Sequence, residues 1–371
     1  MLRNLPRVRR KRRVLLICNR LQMAEHLSDV WELFKDDPHL TFYLFQPFEE
    51  KLPGEIEYVS NKIPVRKTSK TELYLRHWDL VIAADHPGAV GTLSHIINTF
   101  SWPTLRIPHG VPGKRVDGQI YAFNSQCYDE RGEIRYTRML VSSETERQMA
   151  VEADPGFSDR VVIVGNLKSD RLLEMAQYRD EIRQRFGVGP GDIFVLTLST
   201  FGPNCLFNMM GNELIDEMRR HSDLFHFALS VHPLEYRSKG SGGLNWGERL
   251  AELVREGFVV RDPKEDWRPY MLACDVILTD HTSLALYGVS LGRPYVYAPV
   301  SETLVEKDSL TWHLLAISPM LRADGSNLKE SLWSAMNDYP LGKLKDLNQM
   351  LNSFPREAEA RIRREVYSLL K

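Results

Sequence analysis

The sequence predicts an α/β protein of two sequential halves, each a parallel sheet wrapped by helices. Three observations carry that reading. Short apolar runs alternate with amphipathic stretches, the pattern of strand–helix–strand units. The alternation restarts after a turn-rich break, Gly187-Val188-Gly189-Pro190-Gly191. Several of the apolar runs end in small, polar or glycine-containing loops, where open α/β sheets collect ligands.

Val14-Leu15-Leu16-Ile17-Cys18 is apolar on both faces and reads as a first buried strand, followed by a helix from Met23 to Phe34. Leu40 to Phe45 is a second strand and Asp79 to Ala83 a third, the latter ending at Asp85-His86-Pro87-Gly88 before a helix to about Asn98. Thr104 to Ile107 runs into Pro108-His109-Gly110, and Arg138 to Val141 into Ser142-Ser143. The helix that starts near Glu144 opens with acidic residues, which suit its dipole. Arg160 to Val164 closes this half at Gly165-Asn166, and Met175 to Phe186 reads as a connecting helix. In the second half Ile193 to Leu198 ends in Ser199-Thr200-Phe201-Gly202, and a helix is expected from about Asn208 to His221. Phe225 to Val231 ends in His232-Pro233, and Ser238 to Gly243 reads as a flexible loop. A helix to Glu256 and a short strand, Phe258 to Val260, follow. Val276-Ile277-Leu278 then breaks into Thr279-Asp280-His281-Thr282-Ser283. Leu284 to Leu291 is expected as a helix packed closely by Ala285 and Gly288, before Tyr295 to Ala298 resumes the sheet. Beyond Glu302 the chain reads as mostly helical, and it has no repeat of fixed period. We expect a first domain over 1–170 and a second over 171–354. The last helix, 355–371, is expected to pack back on the first.

A chain of 371 residues can bury two cores of ordinary size. Seven of its 48 Lys and Arg side chains lie in the first thirteen residues, so the remainder carries 41 against 49 acidic groups, a net of −8. That acidic body argues against broad nucleic-acid binding. The basic run 1–13 is expected either to meet an anionic membrane surface or to be simply solvated. Cys18, Cys127, Cys205 and Cys274 are scattered, which points to a reduced, cytoplasmic setting, with peripheral attachment at the inner membrane face as an option. No Asp-x-Asp pair or His/Cys cluster calls for a metal, and no cofactor is expected.

Four of the polar loops carry groups that can do chemistry. In Pro108-His109-Gly110-Val111-Pro112-Gly113-Lys114, His109 can act as a general base near neutral pH. Gly110 there permits close backbone approach, and Lys114 can neutralise a phosphate. In the second loop, Pro233 restricts His232 to extended conformations, which aims the imidazole forward from the strand end. Its charge or N–H can stabilise a leaving phosphate, and Arg237 can add charge. Ser199 and Thr200 offer hydroxyls and amides to an oxyanion but lack the lysine of a Walker loop. In the fourth, Asp280 can bind a hydroxyl, and Thr282 and Ser283 a phosphate at a helix N-terminus. Each loop taken singly also fits a capped helix or a satisfied structural histidine.

Two such halves facing a cleft form the architecture of GT-B transferases, shared by sugar-nucleotide epimerases. Four segments also occur in a telling order. They are Pro-His-Gly-x-Pro-x-Lys from Pro108, Val-Gly-Asn-x-x-x-Asp from Val164, His232-Pro233, and Thr-Asp-x-Thr-Ser from Thr279 with Leu-Gly-Arg-Pro after it. Over roughly residues 104–298 this order resembles the CDP-glycerol glycerophosphotransferases of teichoic acid synthesis. That family carries Trp-His-Gly-x-Pro, Gly-x-Pro-Arg-x-Asp, His-Pro and Thr-Asp-Tyr-Ser-Ser segments. Here Ile107-Pro108 replaces the aromatic residue, Asn166-Leu167-Lys168 the Pro-Arg region, and His281 the tyrosine. Ser199-Thr200-Phe201 also departs from the family's Pro-Thr-Trp-Arg.

The resemblance implies transfer of glycerol phosphate from a CDP-activated donor to a polyol-phosphate or lipid-linked glycan acceptor. It implies His109 as base, His232 as a phosphate-binding histidine, and Asp280, Thr282 and Ser283 as the donor-phosphate segment. Two other functions stay open on the residues: a glycosyltransferase or sugar-nucleotide 2-epimerase, and an inactive nucleotide-binding domain. The presence of both His109 and His232 argues against the last.

Overall fold

The computed structural model describes residues 10–47, 54–84, 101–108, 110–129, 131–236 and 246–370. His109, Arg237, residues 1–9 of the basic run, the expected helix to Asn98 and the loop from Ser238 to Gly243 lie outside the described residues.

Two parallel sheets organise the chain. The strands of the first are β1 (Arg12–Ile17), β2 (Leu40–Phe45), β3 (Arg66–Lys67), β4 (Leu80–Ala84), β5 (Thr104–Ile107), β8 (Arg138–Val141) and β9 (Val161–Ile163). They lie in the order β3-β2-β1-β4-β5-β8-β9. Between β5 and β8, β6 (Arg115–Val116) and β7 (Gln119–Ile120) form a separate antiparallel hairpin. The second sheet holds β10 (Ile193–Leu198), β11 (Phe225–Ser230), β12 (Val259–Val260), β13 (Val276–Thr279) and β14 (Tyr295–Tyr297), ordered β12-β11-β10-β13-β14. Each sheet thus runs outward from its first strand in one direction and then in the other. The crevice at that reversal, outside the carboxyl ends of the strands, is where a doubly wound sheet takes a ligand.

The strands form where apolar runs permit burial on both faces. Val14 to Ile17, Val195, Leu196 and Val276 to Leu278 are essentially inaccessible to solvent. Helix Ala358–Leu369 contributes Ile362 and Val366 to the core of the first sheet, beside Val14, Leu16 and Leu140. The chain reaches it through a joint at Asp170. Its carboxylate accepts from Asn352 Nδ2 (3.0 Å), Arg356 N (2.8 Å) and Ala358 N (3.2 Å). Asn352 Oδ1 accepts in turn from Asn166 N (3.1 Å). Gly165, at φ +87°, lies so close that a Cβ would meet the Phe354 carbonyl at 2.9 Å. The Val-Gly-Asn-x-x-x-Asp segment is therefore accounted for by a structural joint.

Two expected elements differ. The connecting helix from Met175 to Phe186 is two helices, Leu167–Met175 and Arg179–Arg185, separated by a 3₁₀ turn at Ala176–Tyr178. Arg179 and Arg183 of the second piece reach Asp275, whose carboxylate also holds Phe194 N, so the break turns that helix onto the edge of β10 and β13. The stretch Ala285–Leu291 is 3₁₀ rather than α. There the Ala285 carbonyl accepts the Tyr295 hydroxyl (2.8 Å). The close packing expected at Gly288 is present, since a Cβ there would meet Ile277 Cδ1 at 2.2 Å.

Candidate functional site

Asp280 follows β13 and Ser199 follows β10, so the two loops flank the reversal point of the second sheet. Asp280 is only 1% exposed, and its carboxylate ties the loops together. Oδ2 accepts from Ser199 Oγ (2.9 Å), Thr200 N (2.9 Å) and Leu206 N (2.8 Å), while Oδ1 accepts from Thr282 N (2.9 Å). The hydroxyl-binding role read from the sequence would need a free oxygen. Here both oxygens serve protein donors, and the carboxylate orients what surrounds it. A second buried carboxylate, Glu235, braces the same region: Oε1 accepts from Gly202 N (2.9 Å) and Oε2 from Asn208 Nδ2 (3.1 Å). Sequence reasoning passed over Glu235, because a lone Glu after His-Pro carries no sign of burial.

His232, at the end of β11, accepts from Leu234 N at Nδ1 (3.2 Å). In the neutral ring that bond assigns the proton to Nε2. The ring rests on Phe201, centroids 4.7 Å apart, and Lys114 Nζ lies 4.3 Å from the same ring on a cation–π contact. Burial pulls the Lys114 ammonium below the usual lysine range, with Asp280 opposing. Gly110, at φ +94°, packs against the second half at Ser283. A Cβ there would stand 2.6 Å from Ser283 Oγ, so no other residue fits without displacement. Nearby, Glu306 N donates to the Gly113 carbonyl (2.7 Å), docking the 110–120 segment on the second half.

Two cavities open around these groups. One, of about 150 Å³, has Tyr58 and Lys168 on one side and Arg261, Glu265 and Trp267 on the other. The other, of about 120 Å³, has Arg106, Tyr121 and Glu146 facing Thr200, Phe201 and His281. Gly110, His232, Thr282 and Ser283 line both. Ser199 belongs to the first cavity, Lys114 and Thr200 to the second. The structure therefore brings together seven of the residues singled out in the sequence, with Asp280 beneath them.

Three residues of the second cavity were not singled out as site residues. Arg106 is 3% exposed, donates from Nη2 to the Ala122 carbonyl (2.7 Å) and lies over the Phe123 ring. Glu146 is 2% exposed; Oε2 accepts from Ser142 N (2.7 Å), while Oε1 has no partner. His281 is 5% exposed with Nδ1 likewise unpartnered, and burial lowers its pKa against the opposing pull of Asp280. A buried polar group left so costs about 1–3 kcal/mol. For Glu146 the signal was present, since Ser143-x-x-Glu146 has the spacing of a capping box.

Burial pushes the Glu146 carboxyl up to about 8, against the pull of its Ser142 hydrogen bond and of Arg106. A folded-state pKa above the unfolded value means that the unfolded chain loses this proton first. Stability from this group is therefore full below about pH 4.3 and is lost as pH rises to about 8. Glu146→Gln, which cannot ionise, is expected to flatten that decline and to gain stability over wild type most at pH 8. Parallel denaturant titrations of both proteins across this range give the measurement, and identical slopes would refute the assignment.

Among the described residues, no helix is long and apolar enough to cross a membrane, and no group of three or more His, Cys, Asp or Glu is placed to hold a metal. All four cysteines are free and buried.

No family model matches the sequence, and no curated protein matches it. Solved structures do. A structure of the wall teichoic acid polymerase TagF with CDPG is 13% identical, with a TM-score of 0.65 over 97% of this chain and 89% of that one. The UDP-GlcNAc 2-epimerase from Neisseria meningitidis bound to UDP-GlcNAc is 15% identical, with a TM-score of 0.59 over 96% of this chain and 100% of that one. The S. aureus MnaA–UDP complex is 12% identical, with a TM-score of 0.62 over 97% of each chain. At such identities the likeness establishes the fold, and that fold is GT-B, a pair of Rossmann-like sheets, as the sequence predicts.

Proposed function

We propose that the chain is a GT-B transferase of cell-envelope polymer synthesis. It moves glycerol phosphate, or a related polyol phosphate, from a CDP-activated donor to a polyol-phosphate or lipid-linked glycan acceptor. The observation that supports this most directly is the meeting of two cavities at Gly110, His232, Thr282 and Ser283. A group transfer between two bound molecules needs such a junction, with the reacting atoms held at contact distance. The four residues also belong to the segments that resemble the glycerophosphotransferases.

In this reading residues 171–354 hold the donor and residues 1–170 the acceptor. The nucleotide lies in the larger cavity, with its pyrophosphate against Thr282 and Ser283. The acceptor hydroxyl attacks the β-phosphorus: a new P–O bond forms, the bond to the bridging oxygen breaks, and CMP leaves with that electron pair. The hydroxyl proton passes to His109. His232, through Nε2–H, and Lys114 offset the charge that grows on the departing phosphate. Asp280 acts indirectly, by fixing Ser199, Thr200 and Thr282. The basic run at residues 1–13 suits an anionic membrane carrying a lipid-linked acceptor.

A second reading, a sugar-nucleotide 2-epimerase or glycosyltransferase, draws support from the carboxylates and cations of the first cavity, Glu25, Glu265, Lys168 and Arg261. Thermal-shift titration against CDP-glycerol, CDP-ribitol, UDP-GlcNAc and CMP-sugars separates the two. The true donor at 100 times its Kd is expected to stabilise the fold by about 2.7 kcal/mol. Stabilisation by UDP-GlcNAc with no response to either CDP-polyol would replace the first reading by the second.

A further inference from the structure

The second cavity carries an unusual pair of atoms. Glu146 Oε1 comes from the first half and His281 Nδ1 from the second, and neither has a hydrogen-bond partner. Their residues are 2% and 5% exposed. Buried polar atoms are nearly always hydrogen-bonded to protein, water or ligand. Two residues that line one cavity from opposite halves and each keep an unpartnered atom therefore mark positions that a bound molecule completes. The same space is lined by two cations, Arg106 and Lys114. Burial favours the uncharged forms of Glu146 and His281, which suits them to hydroxyls rather than to a second charge.

We propose that this cavity is the acceptor subsite, and that it takes a small polyol phosphate. The phosphate faces Arg106, and the polyol hydroxyls bond to Glu146 and His281. The inference rests on the transferase reading for its choice of acceptor. The chemistry has two sources, because a CDP-polyol donor carries a polyol phosphate of its own. The arrangement favours the acceptor, since Arg106, Tyr121 and Glu146 belong to the first half and line this cavity but not the other.

The test is calorimetric titration of the full chain with sn-glycerol 3-phosphate, with and without saturating CDP-glycerol. An acceptor subsite binds one equivalent, and CDP-glycerol leaves that affinity within about twofold. Glu146→Met removes both carboxylate oxygens and His281→Phe both ring nitrogens, and each is expected to weaken sn-glycerol 3-phosphate roughly tenfold. CDP-glycerol affinity should stay the same in both variants. Glu146→Gln, which keeps a polar terminus and an acceptor for Ser142 N, is expected to restore most of the loss. Near-UV circular dichroism reports folding, and if Glu146→Met is misfolded, His281→Phe decides alone. Absence of binding to wild type, unchanged affinity in the folded variants, or competition by CDP-glycerol each overturns the subsite. Binding of sn-glycerol 3-phosphate through these residues by a chain that ignores CDP-glycerol would uphold the subsite and remove the CDP-activated donor.

Discussion

Replacing His109 by Ala is expected to lower kcat for polyol phosphate transfer by about 10²–10⁴-fold, the range of a lost general base, with donor Kd unchanged. Its chain neighbours Pro108 and Gly110 both line the second cavity, and Gly110 the first as well. A base acts only as the acceptor hydroxyl loses its proton, so its loss falls on the transition state and spares ground-state binding. His232→Ala is expected to behave differently. In the neutral ring, with Nδ1 accepting from Leu234 N, the proton sits on Nε2, the atom that the transferase reading sets against the donor phosphate. Removing it should raise the donor Kd roughly tenfold as well as slow turnover. Full activity in His109→Ala would sink the base assignment, and unchanged donor affinity in His232→Ala the phosphate contact. If circular dichroism finds both variants unfolded, the histidines are structural.

The largest effect on stability is expected from Asp280→Ala. Three buried backbone amides, those of Thr200, Leu206 and Thr282, and the Ser199 hydroxyl would lose their acceptor together. At about 1 kcal/mol or more for each orphaned amide, the loss is about 3 kcal/mol or more. That corresponds to a fall in Tm of roughly 6–12 °C. Donor affinity should fall as well, because the loops that carry Ser199, Thr200 and Thr282 lose their common tie. The joint change is diagnostic. A carboxylate that touched the donor directly would lose donor affinity with Tm unchanged, whereas loss of Tm with full donor binding would reduce Asp280 to a purely structural brace.

The strands were legible because their signal is local. Leu40–Phe45, Thr104–Ile107, Arg138–Val141 and Ile193–Leu198 begin and end where the apolar runs do. The loops that follow β5, β10, β11 and β13 could be marked in advance because a strand end is also a local feature. The hairpin at Arg115–Ile120 had its own signal, which was passed over. Asp117 and Gly118 both take positive φ, +50° and +76°, as a tight Asp-Gly turn requires. Glu146 and Glu235 were less accessible, since their burial comes from segments that converge only after folding. Asp280 shows the limit most plainly. Its place beside the site could be read from the chain, but its four donors lie partly some eighty residues away, so its task could not.

The joint at Asp170 and Asn352 restricts how the protein can move. The polypeptide passes from the first sheet to the second after β9 and returns before helix Ala358–Leu369. At that place the two passages are hydrogen-bonded to each other, Asn166 N to Asn352 Oδ1 and Asn352 Nδ2 to Asp170. Two adjacent, mutually fastened tethers resist separation and sliding far more than they resist bending. The soft coordinate left to the pair of sheets is therefore a rotation about this seam. Displacement under such a rotation grows with distance from the axis, so contacts far from the seam part first. A small rotation of that kind changes the spacing of the walls that the two halves contribute to both cavities, while Gly110, which shares a small cavity with Gly165 and Asn166, lies near the seam and moves least.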